Sequence, residues 1–157
     1  MLVATETDCA RFHSRYAGFR AAFRGTRLAI IDHGFVVTSY RALVAVPGTA
    51  RSAATRDVFS RAGFDAVAVT SFDDALQALR AWRPDLLATE VRLGDYNGLH
   101  LALRAHDLYP ELPILVIGSD RDGASEAEHF GATFLPLSGG DDSLIETAEA
   151  LVARRKG

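Results

Sequence analysis

The sequence lacks a second cysteine to crosslink the chain and lacks an apolar run long enough to cross a membrane. Among 157 residues there is one cysteine, Cys9, so no disulfide can form within the chain, and a reducing, cytoplasmic location is expected. No apolar run approaches the roughly 20 residues of a membrane-spanning helix, and acids stand near the amino terminus where a signal peptide needs an apolar core. The net charge of −3 gives no electrostatic case for nucleic-acid binding by the whole molecule.

The sequence also lacks the motifs of common enzyme classes. It contains no GxGxxG fingerprint, no phosphate loop with a lysine, and no spacing typical of Ser-His-Asp or Cys-His sites. His100 and His106 lie six residues apart on a predicted helix, so they do not share a face as metal ligands would. We therefore expect no enzymatic activity, no resident metal and no cofactor.

Aromatic residues and net positive charge are concentrated at the amino terminus. Residues 1–40 carry five arginines and three acids, a charge of +2 that leaves −5 for the remainder. Four aromatic residues at helical spacing predict a basic amphipathic helix: Phe12, Tyr16, Phe19 and Phe23. Such a helix could bind a membrane surface or a partner protein. We favour the interpretation that it packs against this protein's own sheet or a second copy, because aromatic stripes usually contribute to a core.

A second feature of this segment is a predicted β-hairpin. Two short apolar runs flank a polar centre with a glycine between Leu28 and Val37. We divide the chain into an N-terminal extension, residues 1–40, and a main domain, residues 41–157. A further hypothesis is that the extension is not native, because Met1 is the only methionine and a valine codon near residue 36 could start translation in a GC-rich gene.

The main domain alternates predicted strands and helices five times. Ser71 with Asp74, and Ser143 with Glu146, predict the starts of the second and last helices. This alternation with short loops predicts an α/β fold, a doubly wound five-stranded parallel sheet with helices on both faces. The predicted strands are Leu43–Val46, Ala66–Val69, Leu86–Glu90, Ile114–Ile117 and Thr133–Leu135.

The most informative stretch of the main domain is Arg83–Gly98. Pro84 cannot lie inside the preceding helix, and Leu86–Ala88 is apolar without alternation, as expected of a central strand buried on both faces. The strand ends on a carboxylate, Glu90, at the edge of the sheet where ligands bind in open α/β folds. The pair Asn97-Gly98 predicts a left-handed turn before the next helix.

Taken together, these stretches resemble the receiver domain of bacterial response regulators, the phospho-accepting part of two-component signalling. The resemblance covers residues 41–155 and implies the flavodoxin-like receiver fold with strand order 2-1-3-4-5. The matching stretches are Ala62–Phe64, Arg83–Leu87, Glu90–Gly98, Leu112–Ile117 and Gly131–Ala132.

The resemblance implies five functional positions, and this sequence departs from the family at each. The family has an aspartate that accepts phosphate, an acidic pair that holds Mg²⁺, a threonine or serine, and a lysine. The degenerate positions are Glu90 for the aspartate, Pro47 and Gly48 for the acidic pair, Gly118 followed by Ser119 for the hydroxyl, and Leu137 for the lysine.

These departures predict a domain that is not phosphorylated. Gathering phosphoryl charge without Mg²⁺ or lysine forfeits several kcal/mol of electrostatic stabilisation, and the extra methylene of Glu90 moves its oxygen out of line for attack. We therefore expect no Mg²⁺ binding. Glu90 could imitate a phosphorylated aspartate, or it could be a leftover acid paired with Arg51 or Arg121. We favour the second because the hydroxyl and lysine that read the phosphate are missing.

The function implied by the resemblance is a stand-alone receiver-like domain in two-component, phosphorelay signal transduction. It would act without phosphorylation by binding a protein, either a signalling protein or a second copy. The implied partner face includes His129, Pro136 and Phe134, and Phe134 falls where the family has its switch aromatic. The alternative is a flavodoxin-like domain that binds a small molecule or anion at the carboxyl ends of the strands.

Overall fold

A computed structural model of the chain describes residues 29–31, 35–37, 39–119 and 122–156. The first two strands, β1 (Ala29–Ile31) and β2 (Phe35–Val37), pair antiparallel with Ala29 opposite Val37. The two strands of the predicted hairpin are therefore present. Its polar centre and the predicted amphipathic helix lie outside the described residues.

The main domain alternates strands and helices as the sequence predicts. Its elements are β3 (Arg41–Ala45), α1 (Thr49–Arg61), β4 (Asp65–Val69), α2 (Phe72–Ala81), β5 (Leu86–Glu90), β6 (Arg92–Leu93), β7 (Tyr96–Asn97), α3 (Gly98–Leu108), β8 (Ile114–Gly118), α4 (Asp122–His129), β9 (Thr133–Pro136), a 3-10 turn (Leu137–Gly139) and α5 (Gly140–Lys156). None of the helices in the described ranges combines the length and apolarity that crossing a bilayer requires.

Five of these strands form one parallel sheet, in the order β4-β3-β5-β8-β9. Counted within the sheet, this order is 2-1-3-4-5, so the predicted fold class and topology are confirmed. The strand β5 lies at the centre, with Leu87 opposite Leu43 on one side and Ile114 on the other. All five residues of β5 are buried, as predicted for a central strand covered on both faces.

Helices cover both faces of the sheet and divide the core into two layers. One layer includes Trp82 and Leu87 and lies under α2 and α3, while the other includes Phe59 and Leu144 and lies under α1 and α5. Alternate residues of the strands point into opposite layers.

The local signals for helix starts are correct in one case and wrong in another. Ser71 is the N-cap of α2, and its hydroxyl oxygen accepts a hydrogen bond from the Asp74 backbone N–H at 3.2 Å, as predicted. The predicted start at Ser143 is wrong, because α5 begins at Gly140 directly after the 3-10 turn. The acids Asp141 and Asp142 then occupy its first turn, where they complement the helix dipole.

The loop after β5 differs from the prediction. It folds into a two-stranded ribbon of β6 and β7, in which Leu93 pairs with Tyr96. The left-handed residue is Gly94, with φ of 63°, and no left-handed turn forms at Asn97-Gly98. Asn97 instead has φ of −94° and caps α3, its side-chain oxygen accepting from the Leu99 N–H at 2.8 Å. The predicted left-handed turn at Asn97-Gly98 is therefore wrong.

Candidate functional site

The carboxyl edge of the sheet contains a cavity of about 640 Å³. Its walls come from the ends of β5 and β8, the first turn of α1, the β6–β7 ribbon and the turn after β9. Among the sequence-predicted positions, Pro47, Glu90, Gly118, Ser119 and Leu137 line this cavity. Gly48 is the N-cap of α1 and does not line it. Folding thus gathers most of the predicted positions at one place.

The central feature of the cavity is an ion pair between Arg51 and Glu90. The guanidinium Nη2 of Arg51 donates to the Oε1 atom of Glu90. The two partners differ in burial, because the residue Glu90 is 8% exposed whereas the side chain of Arg51 is 57% exposed. Arg51 is one of the two arginines that the sequence offered as partners, and Arg121 lies outside the described residues.

Burial and the ion pair act on the Glu90 carboxyl in opposite directions. Burial raises its pKa, the charge and hydrogen bond of Arg51 lower it, and the net pKa is above the ordinary value of 4.5. Arg51 therefore only partly compensates for the cost of a charged group in this position. The Oε1 atom of the ionised Glu90 carboxylate therefore already has a cationic partner from the protein itself, the Arg51 guanidinium.

The cavity has a donor set unlike that of a magnesium site. Mg²⁺ is bound through oxygen ligands, chiefly carboxylates together with water and substrate phosphates. At the end of the first sheet strand, where an acidic pair would supply such ligands, the chain has Pro47 and Gly48. Across the described ranges, no group of three or more His, Cys, Asp or Glu side chains is placed to hold a metal ion.

Gly98 holds the loop tightly against the end of β5. Its N–H donates to the Val91 carbonyl at 2.7 Å, and the Val91 N–H donates to Ile117 of the neighbouring strand at 2.9 Å. An ideal Cβ placed on Gly98 would overlap the carbonyl oxygen of Glu90. The close approach of the two backbones therefore requires glycine at position 98.

A second close approach involves the aromatic residue of the predicted partner face. An ideal Cβ on Gly118 would lie 2.9 Å from Cε2 of Phe134 and 2.7 Å from Cγ2 of Val91, and one on Gly123 would lie 3.3 Å from Cε2 of Phe134. The ring of Phe134 thus fills the space that a side chain at position 118 would need. Phe134 is consequently half-buried rather than presented fully to solvent.

The other two residues of the predicted partner face are exposed. His129 ends α4 and Pro136 ends β9, a strand of four residues. The three positions are therefore spread along the α4–β9 face rather than gathered at one point. This arrangement leaves their role in binding a prediction.

Several residues of the cavity carry no signal in the sequence. Arg92, Asp95 and Tyr96 enter it from the β6–β7 ribbon, and Tyr96 stacks on Phe72 with ring centroids 4.9 Å apart. Strands of two residues are too short for any periodic pattern to predict. Gly123 also escapes prediction, because its packing against Phe134 depends on how α4 lies over β9.

Comparison with solved structures supports the fold assignment. A CheY-like response regulator receiver domain protein from Methanospirillum hungatei JF-1 matches with a TM-score of 0.71 at 16% identity, covering 76% of this chain and 98% of that one. A response regulator receiver protein from Sinorhizobium medicae matches with a TM-score of 0.67 at 23% identity, covering 74% of this chain and 97% of the other. The structural neighbours are therefore CheY-like receiver domains, and the main domain has their fold.

Sequence comparison finds a more limited similarity. No family model matches the chain. The DNA-binding transcriptional regulator NtrC of Proteus hauseri is 37% identical over 67 residues, which is 41% of this chain. The chain spans only 14% of that regulator's length, so the activity of the whole regulator is not carried over.

Proposed function

We propose that this domain is a cytoplasmic, bacterial receiver-like module of two-component signal transduction that binds a protein partner and does not depend on phosphorylation. The receiver fold supports the first part of this proposal. The second part rests on the chemistry at the end of β5, where the ion pair of Glu90 with Arg51 is the observation that carries it.

Two features at the end of β5 oppose phosphoryl transfer, the ion pair and the missing acidic pair and lysine. Glu90 would have to give up Arg51 before its Oε1 atom could attack a phosphoryl group, since a donated hydrogen bond withdraws electron density from that oxygen. The incoming phosphoryl group would then find no acidic pair to bring Mg²⁺ and no lysine, because the chain has Pro47, Gly48 and Leu137 there. Each 1.4 kcal/mol of lost stabilisation lowers the rate about tenfold. Phosphorylation should therefore be negligible.

The ion pair with Arg51 also argues against Glu90 imitating a phosphorylated aspartate. Such imitation would need a carboxylate free to attract a hydroxyl from the end of β8. Gly118 provides no hydroxyl there, and the Phe134 ring already fills the adjoining space. We infer that Glu90 is a paired structural acid and that the domain has a single resting arrangement of this edge.

The proposed partner face runs along α4, β9 and α5 and includes His129, Phe134 and Pro136. His129 and Pro136 are exposed, so a partner can reach them without unfolding of the domain. The half-buried ring of Phe134 packs against Gly118 at the end of β8, beneath this face. The partner is a signalling protein or a second copy of the domain.

Two assays test this function. Incubation with acetyl phosphate and Mg²⁺, followed by intact-mass measurement, should leave the mass unchanged, and a gain of one phosphoryl group would overturn the phosphorylation-independent part. For the face, in-cell crosslinking should recover a two-component protein or a second copy, with recovery reduced by His129→Glu. His106→Glu is the matched control, because His106 is an exposed histidine in the last turn of α3. Equal loss with both variants would count against the proposed face.

The size of the cavity favours one other candidate function, binding of a small molecule or anion at the strand ends. A volume of about 640 Å³ lies within the range of ligand pockets, and Arg92 and Tyr96 offer a cation and an aromatic ring. Titration with inorganic phosphate in the absence of Mg²⁺ separates the two functions. Saturable shifts of the Arg92 and Tyr96 amides would favour a ligand site, whereas their absence would favour the protein-binding module.

A further inference from the structure

The face of the domain opposite α2 and α3 carries a groove between α1 and α5. Two adjoining hollows of about 470 and 610 Å³ form it, and they share Val58, Arg61 and Asp141. The apolar residues Val58, Ala62, Leu144 and Ile145 lie along it, and acids stand at its edges. The groove therefore has an apolar floor and a charged rim.

The charge of the rim is strongly negative. Asp57 is neutralised by its neighbour Arg56, whose Nη2 lies 3.0 Å from the Asp57 carboxylate. The other acids lie on α5 and form no ion pair with any residue in the described part of the chain: Asp141, Asp142, Glu146 and Glu149. Arg61 is the one cation among the residues lining the two hollows.

Stabilisation of the α5 helix accounts for only two of these four acids. Asp141 and Asp142 lie in the first turn of α5, where they complement the helix dipole. Glu146 and Glu149 lie beyond the first turn, three residues apart on one side of the helix, and both are exposed. Their placement beside the apolar floor suits a ligand that presents apolar and cationic groups together.

The chain itself contains a segment of that chemistry. Residues 9–28 carry five arginines and no acid, together with the aromatic stripe of Phe12, Tyr16, Phe19 and Phe23. A helix from Phe12 to Phe23 would be about 18 Å long, close to the length of about 20 Å for the 13 residues of α1. The segment is therefore about as long as α1, and its arginines and aromatic rings are complementary to the acids and the apolar floor of the groove.

The point where the chain enters the main domain lies close to the groove. Tyr40 packs against Phe64, with ring centroids 6.2 Å apart, in the core layer under α1 and α5. Ala29 pairs with Val37, which is three residues from Tyr40, so the chain reach keeps Ala29 within about 20 Å of Tyr40. Ala62 lines the groove and lies two residues before Phe64, so this part of the groove is near the point where the chain enters the sheet.

We propose that residues 9–28 of the same chain bind in the α1–α5 groove, with arginines facing the acids of α5 and aromatic rings on the apolar floor. Docking would cover the side of α5 that lines the groove with α1 and would leave His129 and Pro136 on α4 and β9 accessible. The proposal stands independently of the partner-binding function.

The single cysteine allows a direct test on the full chain. A nitroxide label on Cys9 should broaden the amide signals of groove residues such as Val58 and Ile145, and should spare Leu103 on the opposite face. Absence of broadening in the groove, or stronger broadening at Leu103, would overturn the proposal.

Charge reversal then tests the recognition itself. The pair Glu146→Lys and Glu149→Lys should abolish the broadening, whereas Asp107→Lys with Glu111→Lys, an equal charge change at exposed positions on the other face, should retain it. Persistence in the groove variant would contradict the proposal. Mixing nitroxide-labelled chains with isotope-labelled, nitroxide-free chains identifies the source, and broadening that arises only between molecules would assign the groove to a second copy instead.

Discussion

Removing Arg51 should destabilise the domain because it leaves the buried Glu90 carboxylate without its partner. Hydrogen bonds to charged groups contribute about 1.5–3 kcal/mol, while exposed ion pairs contribute about 0–1 kcal/mol. Since the Arg51 side chain is 57% exposed and Glu90 is 8% exposed, the pair lies between these limits. We expect Arg51→Ala to lower the free energy of unfolding by about 1–2 kcal/mol at neutral pH.

The cost of Arg51→Ala should depend on pH in a defined direction. Glu90 has a folded-state pKa above its ordinary value of 4.5, so its favourable contribution is present below 4.5 and is lost as pH rises through the raised pKa. Removing Arg51 removes the influence that lowers this pKa, and the loss becomes larger. The variant should therefore match the wild type near pH 4.5 and fall progressively below it as the pH is raised to neutrality.

Urea unfolding at a series of pH values measures this difference. Arg56→Ala is the matched control, because Arg56 lies on the same helix and pairs with the exposed Asp57, and its cost should stay below about 0.5 kcal/mol at every pH. In a Glu90→Gln background, Arg51→Ala should also cost less than about 0.5 kcal/mol. A cost that is independent of pH, or that survives in the Glu90→Gln background, would refute the role assigned to the pair.

Four further substitutions test the local geometry by the same unfolding measurement. Gly98→Ala should destabilise by at least about 3 kcal/mol, because its Cβ would overlap the last carbonyl of β5, and a cost below about 1 kcal/mol would contradict the close approach. Gly118→Thr should cost about 1–3 kcal/mol and shift the ring resonances of Phe134, which it must displace; unchanged ring resonances would be inconsistent with the packing. Ser71→Ala should cost about 1 kcal/mol as a lost N-cap, whereas Ser143→Ala should stay within about 0.5 kcal/mol, and equal costs would argue against the helix starts described above.

The sheet was predictable because its signals are local and repeated. The predicted Leu86–Glu90 coincides with β5, and the other four predicted strands lie within one or two residues of those observed. The order of the strands came from the resemblance to receiver domains, and the solved structures confirm it. Ser71 was a reliable signal because a side chain three residues from its partner decides the cap within one turn.

The details of the site were less predictable because they depend on contacts between distant elements. The sequence offered Arg51 and Arg121 equally as partners of Glu90, and only the position of α1 over the end of β5 selects Arg51 within the described residues. The packing of Phe134 on Gly118 likewise depends on the register of β8 with β9. Ser143 failed as a cap signal because the left-handed Gly140, with φ of 73°, ends the 3-10 turn and lets α5 begin earlier.

We propose that the receiver-like fold is retained while the Arg51 guanidinium, rather than a metal ion, is the cation paired with Glu90 at the end of β5. Titration of the isotope-labelled chain with Mg²⁺ and beryllofluoride, a phosphoryl analogue, tests it most directly by following the amides of Glu90, Gly118 and Phe134. We predict no saturable shift at any of the three. A saturable shift that requires both Mg²⁺ and beryllofluoride would contradict the claim.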